Sequence, residues 1–391
     1  MKMKQKKALL KQLETIEDFR IHEGKIVYPL SEVIFITLFG LLKGYTTFKD
    51  LHLWMKFNKN NTALKKILGK KSIDIPSRST YHRILINIPN DALEGVFREF
   101  FKKYIKNKNI AIDGKWLNGS DISGQYTQEG HKAMLNVLDK DTKITFAHVL
   151  LGKTKKSEIP AFEELLSDKL FSSDGQVFTF DALLTQSEIL NTINKQKNRY
   201  IAKLKGNQKL LKEKAIFTIS NFTQATDICE DTYEHLTEGN KAVKRKVETF
   251  QNRDCDLVMH HSEFENIQTI IKVTKRTTNN KTGEVKTTVE YLMANFKTSA
   301  KEFKNKILQH WRVETYHYHL DELTEEDDHI AYIDPYSISI LRSFAVNLYQ
   351  LFLNAHIDKK PFDTAKVTMA ETKRYCMHDD MFASDIFEIK H

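Results

Sequence analysis

Between Asn109 and Gly206 the sequence follows an order of elements that few architectures accept. NIAIDGKWL, KAMLNVLDK and KITFAHVLLG are strand-like in succession, the last two parted by a hairpin-type turn at Lys140-Asp141. SEIPAFEELLSDKL then has helical spacing, with Ser157 as a candidate cap. QVFTFDA is a strand, TQSEILNTINKQKN a helix, and RYIAKLK a strand that stops at Gly206. The order is β-β-β-α-β-α-β. Antiparallel strands followed by crossover units predict one mixed sheet flanked by helices, an α/β fold.

That order is the one of ribonuclease H-like domains, where the first and fourth strands are neighbours. The first carries Asp113, in IAIDGK, and the fourth ends at Asp181, in FTFDAL. A lone Asp at a strand end is usually a cap or a turn residue. Two on adjacent strands repel each other, and a bridging hard divalent cation relieves the repulsion. Two such ions can clamp the attacking and leaving oxygens of an in-line phosphoryl displacement. The candidate third carboxylate is Glu314, in HWRVETYHYHLDELTEEDD, on a predicted helix. Trp311 and Tyr318 share its face at i−3 and i+4 and are expected to pack that face on the sheet. An amphipathic helix with an incidental Glu is the other reading.

The rest of the chain divides by texture. Residues 1–105 read as helical, from PLSEVIFITLFGLLKG through SRSTYHRILINI to PNDALEGVFREFFKKYI. Residues 106–205 are the first part of the core. Residues 206–298 read as a β-rich insertion, with QTIIKVTKRTT and VKTTVEYLMAN flanking the hairpin signal NNKTGE. Residues 299–358 return to helix and complete the core, and 359–391 form a tail. The longest apolar run, VIFITLFGLL at Val33–Leu42, is too short to span a bilayer, so no membrane association is expected. The basic N-terminus lacks the apolar core of a signal peptide. Cys229, Cys255 and Cys376 form no CxxC pattern and fit a reducing cytosol. The net charge of +9 favours a polyanionic partner, although solvated lysine faces give the same sum.

These segments resemble DDE transposases of bacterial insertion sequences, in the branch that includes the H-repeat-associated proteins. The resemblance runs from about Leu9 to about Leu353. YPLSEVIFITLFGLLKG and IPSRSTYHRIL resemble the helical leader of that branch, and IAIDGKWLNGS its first-Asp motif. KTKKSEIPAFEELL, FTFDALLTQSEI and RYIAKLKGNQKLL resemble the segments that follow, and HWRVET the motif of the catalytic Glu. These motifs in one order are specific where each alone is weak. The resemblance implies that Asp113, Asp181 and Glu314 are the catalytic and metal-binding triad. It implies two magnesium ions, with manganese as a substitute, and double-stranded DNA as partner at element ends and target. It also implies a homodimer working in the cytoplasm on the nucleoid. The reactions implied are hydrolysis at an element end and transfer of the freed 3′ hydroxyl to target DNA.

The sequence departs from the branch at several positions. Asn118 stands where Arg is usual, Thr315 where Asn follows the Glu, and Leu308 where a basic residue is expected. In YHYHLDE, ungapped alignment puts Tyr318, His319 and Glu322 at changed positions. A one-residue gap matches His317 and Asp321 instead. These changes motivate a second reading, a decayed or co-opted DNA-binding protein that no longer transposes.

Further DNA contacts are expected from Lys115, on the strand face of Asp113, and from Lys205, Asn207 and Gln208 after the fifth strand. Lys115 forming only an ion pair, and LKGNQ being only a turn, are the alternatives. His310 and Trp311, before the Glu, join this set. His310, His317 and His319 raise a zinc reading, and DELTEEDD a solvated acidic helix end. RSTYHR at Arg78–Arg83 belongs either to a DNA-reading helix or to a capped structural one. Lys272, Lys275, Arg276, Lys281 and Lys286 make the insertion hairpin a basic ribbon suited to phosphates.

Overall fold

The alternating segments do form strands, and they join one sheet. In this computed structural model the described residues are 4–20, 26–117, 132–151, 158–168, 171, 174–221, 224–235, 241–251, 263–326, 335–356 and 367–389. Ser157 and Asn118 lie outside them. The strands are β1 (Asn109–Leu117), β2 (Lys132–Asp139), β3 (Ile144–Leu151), β4 (Val177–Phe180) and β5 (Arg199–Leu204), then β6 (Asp227–His235), β7 (Lys241–Phe250), β8 (Thr269–Asn279) and β9 (Val285–Ala294). Their hydrogen-bonded order is β3-β2-β1-β4-β5-β9-β8-β7-β6. The first five positions follow the ribonuclease H-like order. The sheet is mixed: β1–β4 and β4–β5 are parallel, while β2–β3, β5–β9 and β9 through β6 are antiparallel.

The chain divides into two compact units. Met1–Lys106, Gly114–Lys155 and Glu314–His391 form one, Asn107–Asp113 and Lys156–Val313 the other. β1 therefore contributes to both.

In the second unit β4 and β5 are parallel because α8 (Ser187–Lys195) makes the crossover between them. Every residue of VFTF is buried, as expected of a strand covered on both faces. On one face Phe178 and Phe180 meet Phe162 of α7 (Glu158–Ser167), at centroid distances of 6.4 and 5.5 Å. On the other, Val177 joins Ile201, Val247, Ile271, Val273 and Leu292 in a core capped by Phe303. The segment after β5, expected to be a β-rich insertion, holds β6 to β9. It opens with a helix, α9 (Lys209–Asn221), whose Leu211, Ala215 and Thr218 are buried at i, i+4 and i+7.

In the first unit the leader supplies α1 (Lys4–Leu13), α2 (Leu30–Leu42), α3 (Phe48–Phe57), α4 (Thr62–Leu68), α5 (Arg78–Ile86) and α6 (Asn90–Phe101). α5 is capped by Ser77 and buries Tyr81, while Arg78 and Arg83 stay exposed. The chain ends on α10 (Ala300–Thr324), α11 (Tyr336–His356), α12 (Met369–His378) and α13 (Asp380–Asp385). α11 is buried from Tyr336 to Phe352 and is the central helix of this unit. Its Asn347 pairs with both backbone groups of Thr145 on β3, and its Phe344 packs on Phe97, Phe100 and Phe101 of α6. Of the segment expected as a tail, the described residues 367–389 are folded. Phe387 stacks on Phe35 and Phe39 of α2, and Cys376 is buried. The β2–β3 turn is also longer than Lys140-Asp141. Four residues separate the strands, Lys143 has φ 60°, and the Asp139 carboxylate accepts from the amides of Asp141 and Thr142. Among the described residues no helix is long and apolar enough to cross a membrane.

Candidate active site

β1 and β4 run parallel in register, Asn109 opposite Val177 through Ile112 opposite Phe180. Asp113 and Asp181 are the next residues on the two strands. Asp113 is half-buried within β1, and Asp181 stands just past the end of β4, where a single 3-10 turn, Ala182–Leu184, begins. Asp181 makes no side-chain N-cap bond of the usual kind, to an amide beyond Ala182, so a helix cap does not account for its position. Its carboxylate faces Lys205 at the end of β5, with Nζ at 2.9 and 3.0 Å from its two oxygens. Burial pushes its pKa up. The Lys205 hydrogen bond, the Ala182 amide and the charges of Lys205 and Lys203 outweigh that and hold it below the usual carboxylate value.

α10 is laid along these strands by polar contacts one turn apart. Lys306 Nζ donates to Asn109 Oδ1 at 3.0 Å. Thr179 Oγ1 donates to the Ile110 carbonyl and accepts from His310 Nδ1 at 3.1 Å. His310 is thus tied to the β4 face that, two residues on, belongs to Asp181. One turn past His310 stands Glu314, exposed and with no ion pair among the described residues. The expectation that Trp311 and Tyr318 pack on the sheet fails: they are 47% and 57% exposed. Val313, Tyr316, Leu320 and Leu323 are the residues buried there, which leaves the Glu314 face open. Trp311 lies instead beneath two cations, with Arg245 and Lys275 5.8 and 5.2 Å from its ring.

On the buried side, Tyr316 OH donates to Ser343 Oγ at 2.7 Å. Ser343 also meets His148 Nε2 at 3.1 Å, and His148 Nδ1 lies 2.8 Å from Glu94. Ser343 and His148 are almost wholly buried, so this Glu-His-Ser chain fixes the helix rather than meeting substrate. Two expected DNA contacts are corrected. Lys115 is 7% exposed and its ammonium donates to Asp321 at 2.7 Å, the ion-pair alternative. Gln208 is buried and its amide donates to the Thr185 carbonyl, so it braces the turn after β5. Asn207 lies in the same 3-10 turn, and its side chain lies outside the described ones. The zinc reading finds no support. His310 is held by Thr179, His317 Nε2 accepts from Asn136, and among the described residues no three His, Cys, Asp or Glu stand together as a metal site. The acidic run is not all solvated: Asp321 pairs with Lys115, Glu325 accepts from Thr46 at 2.5 Å, and Glu326 is fully buried. Asp327 and Asp328 lie outside the described residues.

Residues 107–329 match the family profile described as "Transposase DDE domain", and residues 10–101 match the one described as "DDE_Tnp_1-associated". The chain belongs to the DDE transposase family. "Putative transposase YncI" of Escherichia coli O157:H7 is 25% identical over 329 residues, which cover 82% of this chain and 81% of that protein. "H repeat-associated putative transposase YhhI" of Escherichia coli (strain K12) is 24% identical over 336 residues, 82% and 84% of the two chains. A solved piggyBac transposase synaptic complex with hairpin DNA aligns at TM-score 0.40 and 10% identity, over 98% of this chain and 78% of that one.

DDE transposases bind DNA and use divalent metal ions. The residues present fit such an ion. Asp113 and Asp181 are hard oxygen donors at one level of adjacent strands, and an ammonium already neutralises one of them. Arg245 is the residue of this region that sequence patterns did not single out. Its signal lay in KAVKRKVETF, where Arg245 falls on the inward positions shared with Val243 and Val247.

Proposed function

We propose that this DDE transposase cleaves DNA at the ends of an insertion element and joins the freed 3′ hydroxyl to target DNA, with Asp113, Asp181 and Glu314 as the catalytic carboxylates. The observation that carries this is the register of β1 and β4, which brings Asp113 and Asp181 to the same level of adjacent strands. The likeness of HWRVET to the family's Glu motif supports Glu314 as the third. It lies one helical turn past His310 on α10, whose Lys306 and His310 meet Asn109 of β1 and Thr179 of β4.

Magnesium, with manganese as a substitute, would be held by these carboxylates and would supply Lewis acidity to the phosphodiester. The remaining work belongs to the chain. His310 ties the first half of α10 to β4, and Tyr316 ties its second half to Ser343 of α11. Lys205 stands within reach of a phosphate, and the exposed part of Trp311 with Lys275 beside it offers a cationic surface to the DNA, while the buried Arg245 backs the ring. Both steps are in-line displacements: water first releases a 3′ hydroxyl, which then displaces a 3′ oxygen in the target strand. Pairing two ends calls for a homodimer acting on the nucleoid in the cytoplasm.

The test supplies the full chain with its element ends and magnesium. Wild type is expected to nick the 3′ ends and join them to target. Asp181→Asn and Glu314→Ala are expected to bind the ends and leave them intact. Normal cleavage by Glu314→Ala would remove it from the triad. Binding without cleavage by wild type would support the decayed or co-opted reading, which the Thr315 and Leu308 departures motivate.

A further inference from the structure

The Asp181–Lys205 contact is unusual for where it lies. Both side chains are half in water, 50% and 49% exposed, and an ion pair so exposed contributes little to stability. Yet the ammonium addresses both carboxylate oxygens at nearly equal distance, 2.9 and 3.0 Å, which is the place of a cation on that carboxylate. Lys203, two residues earlier on β5, is committed elsewhere, to Glu290 at 2.5 Å. The backbone at Lys205 is extended and leads straight into the 3-10 turn held by Gln208, so the lysine is delivered from a braced position.

We propose that Lys205 is the resident counter-ion of Asp181 and is exchanged for the divalent ion when metal loads. The freed ammonium then turns to a DNA phosphate. This rests on the reading of Asp181 as a metal ligand. The lysine and the metal compete for one carboxylate, so Lys205 weakens metal binding while DNA is absent. A phosphate that draws Lys205 away strengthens it, and by linkage bound metal strengthens the hold on DNA by the same factor. Metal loading and DNA engagement become coupled through one side chain.

The experiment uses the full chain with lysines dimethylated by 13C-formaldehyde, a modification that keeps their charge. The Lys205 signal is assigned by its loss in Lys205→Arg. Magnesium is then added without DNA, and manganese affinity is measured in parallel by electron paramagnetic resonance. In wild type the Lys205 signal is expected to shift as magnesium binds. In Asp181→Asn it is expected to start at the released position and stay there. Lys205→Gln is expected to bind manganese several-fold more tightly than wild type, with Lys203→Gln changing it less. Ion binding that depends on Asp181 with an unmoved Lys205 signal would overturn the exchange alone. So would a Lys205→Gln affinity no tighter than that of Lys203→Gln. No Asp181-dependent ion binding at all would overturn the metal reading, and the exchange with it.

Discussion

Glu326 is a carboxylate with no exposed surface, close enough to feel the charges of Lys115 and Arg342. Burial pushes its pKa up more than those two cations and Ser339 pull it down, so the folded value lies above the ordinary one. The fold thus favours the protonated form. Its contribution to stability is complete below the unfolded pKa, about 4.3, and is lost as pH rises through the folded value. Glu326→Gln keeps the shape without the charge. The difference in Tm between variant and wild type is expected to grow in the variant's favour from pH 4 to neutrality. A constant difference would show that Glu326 ionises without cost. Asp181 has the opposite sign. Its depressed pKa contributes stability that is present above the unfolded value, about 3.9, and lost as pH falls through the folded one. Because the pair is half exposed, the better measurement is its own titration. By carbon-detected NMR the Asp181 midpoint is expected to rise in Lys205→Gln.

At the scale of elements, the pair Lys115–Asp321 ties β1 to α10 within one unit. Lys115 is two residues past Asp113, and Asp321 is seven past Glu314. Asp321→Ala leaves a buried ammonium without its carboxylate. The cost expected in urea unfolding is about 3 kcal/mol, the low side for a broken buried pair because Asp321 keeps some water. Lys115→Met, which removes the buried charge itself, is expected to cost less than Asp321→Ala. The elements themselves were legible in the sequence wherever periodicity was strong. The five core strands, the two crossover helices and both aspartates sit where alternation and turn residues put them. α9 was hidden because KLLKEKAIFTISN has lysines and isolated apolar residues that give little amphipathic signal, and only tertiary burial of Ala215 and Thr218 selects its inner face. The fates of Lys115 and Gln208 were also illegible. Their partners, Asp321 and the Thr185 carbonyl, lie far along the chain, and no local pattern reports such a pairing.

For the molecule as a whole, the charge of +9 sets the first interaction with a polyanion. DNA affinity is expected to fall steeply with salt, and the β8–β9 ribbon to carry part of that slope. Changing Lys275, Arg276 and Lys286 together to Gln is expected to flatten the plot of log affinity against log salt by about 0.9 for each phosphate that is no longer neutralised. Fluorescence anisotropy over a potassium chloride series measures it, and an unchanged slope would place the DNA path elsewhere. A different consequence follows from the way β9 lies on β5, Ile201 opposite Ala294 through Leu204 opposite Tyr291. The segment between β5 and α10 returns to seal the rim of the core strands before the chain goes on. A fragment ending at residue 205 would carry β5 as a bare hydrogen-bonding margin, a template on which further chains could add. Loss or gain of residues around β6 and β7 alters only the outer strands. A change that shifts β9 by one residue would uncover that margin, and the protein would be lost to self-association before its chemistry was ever tested.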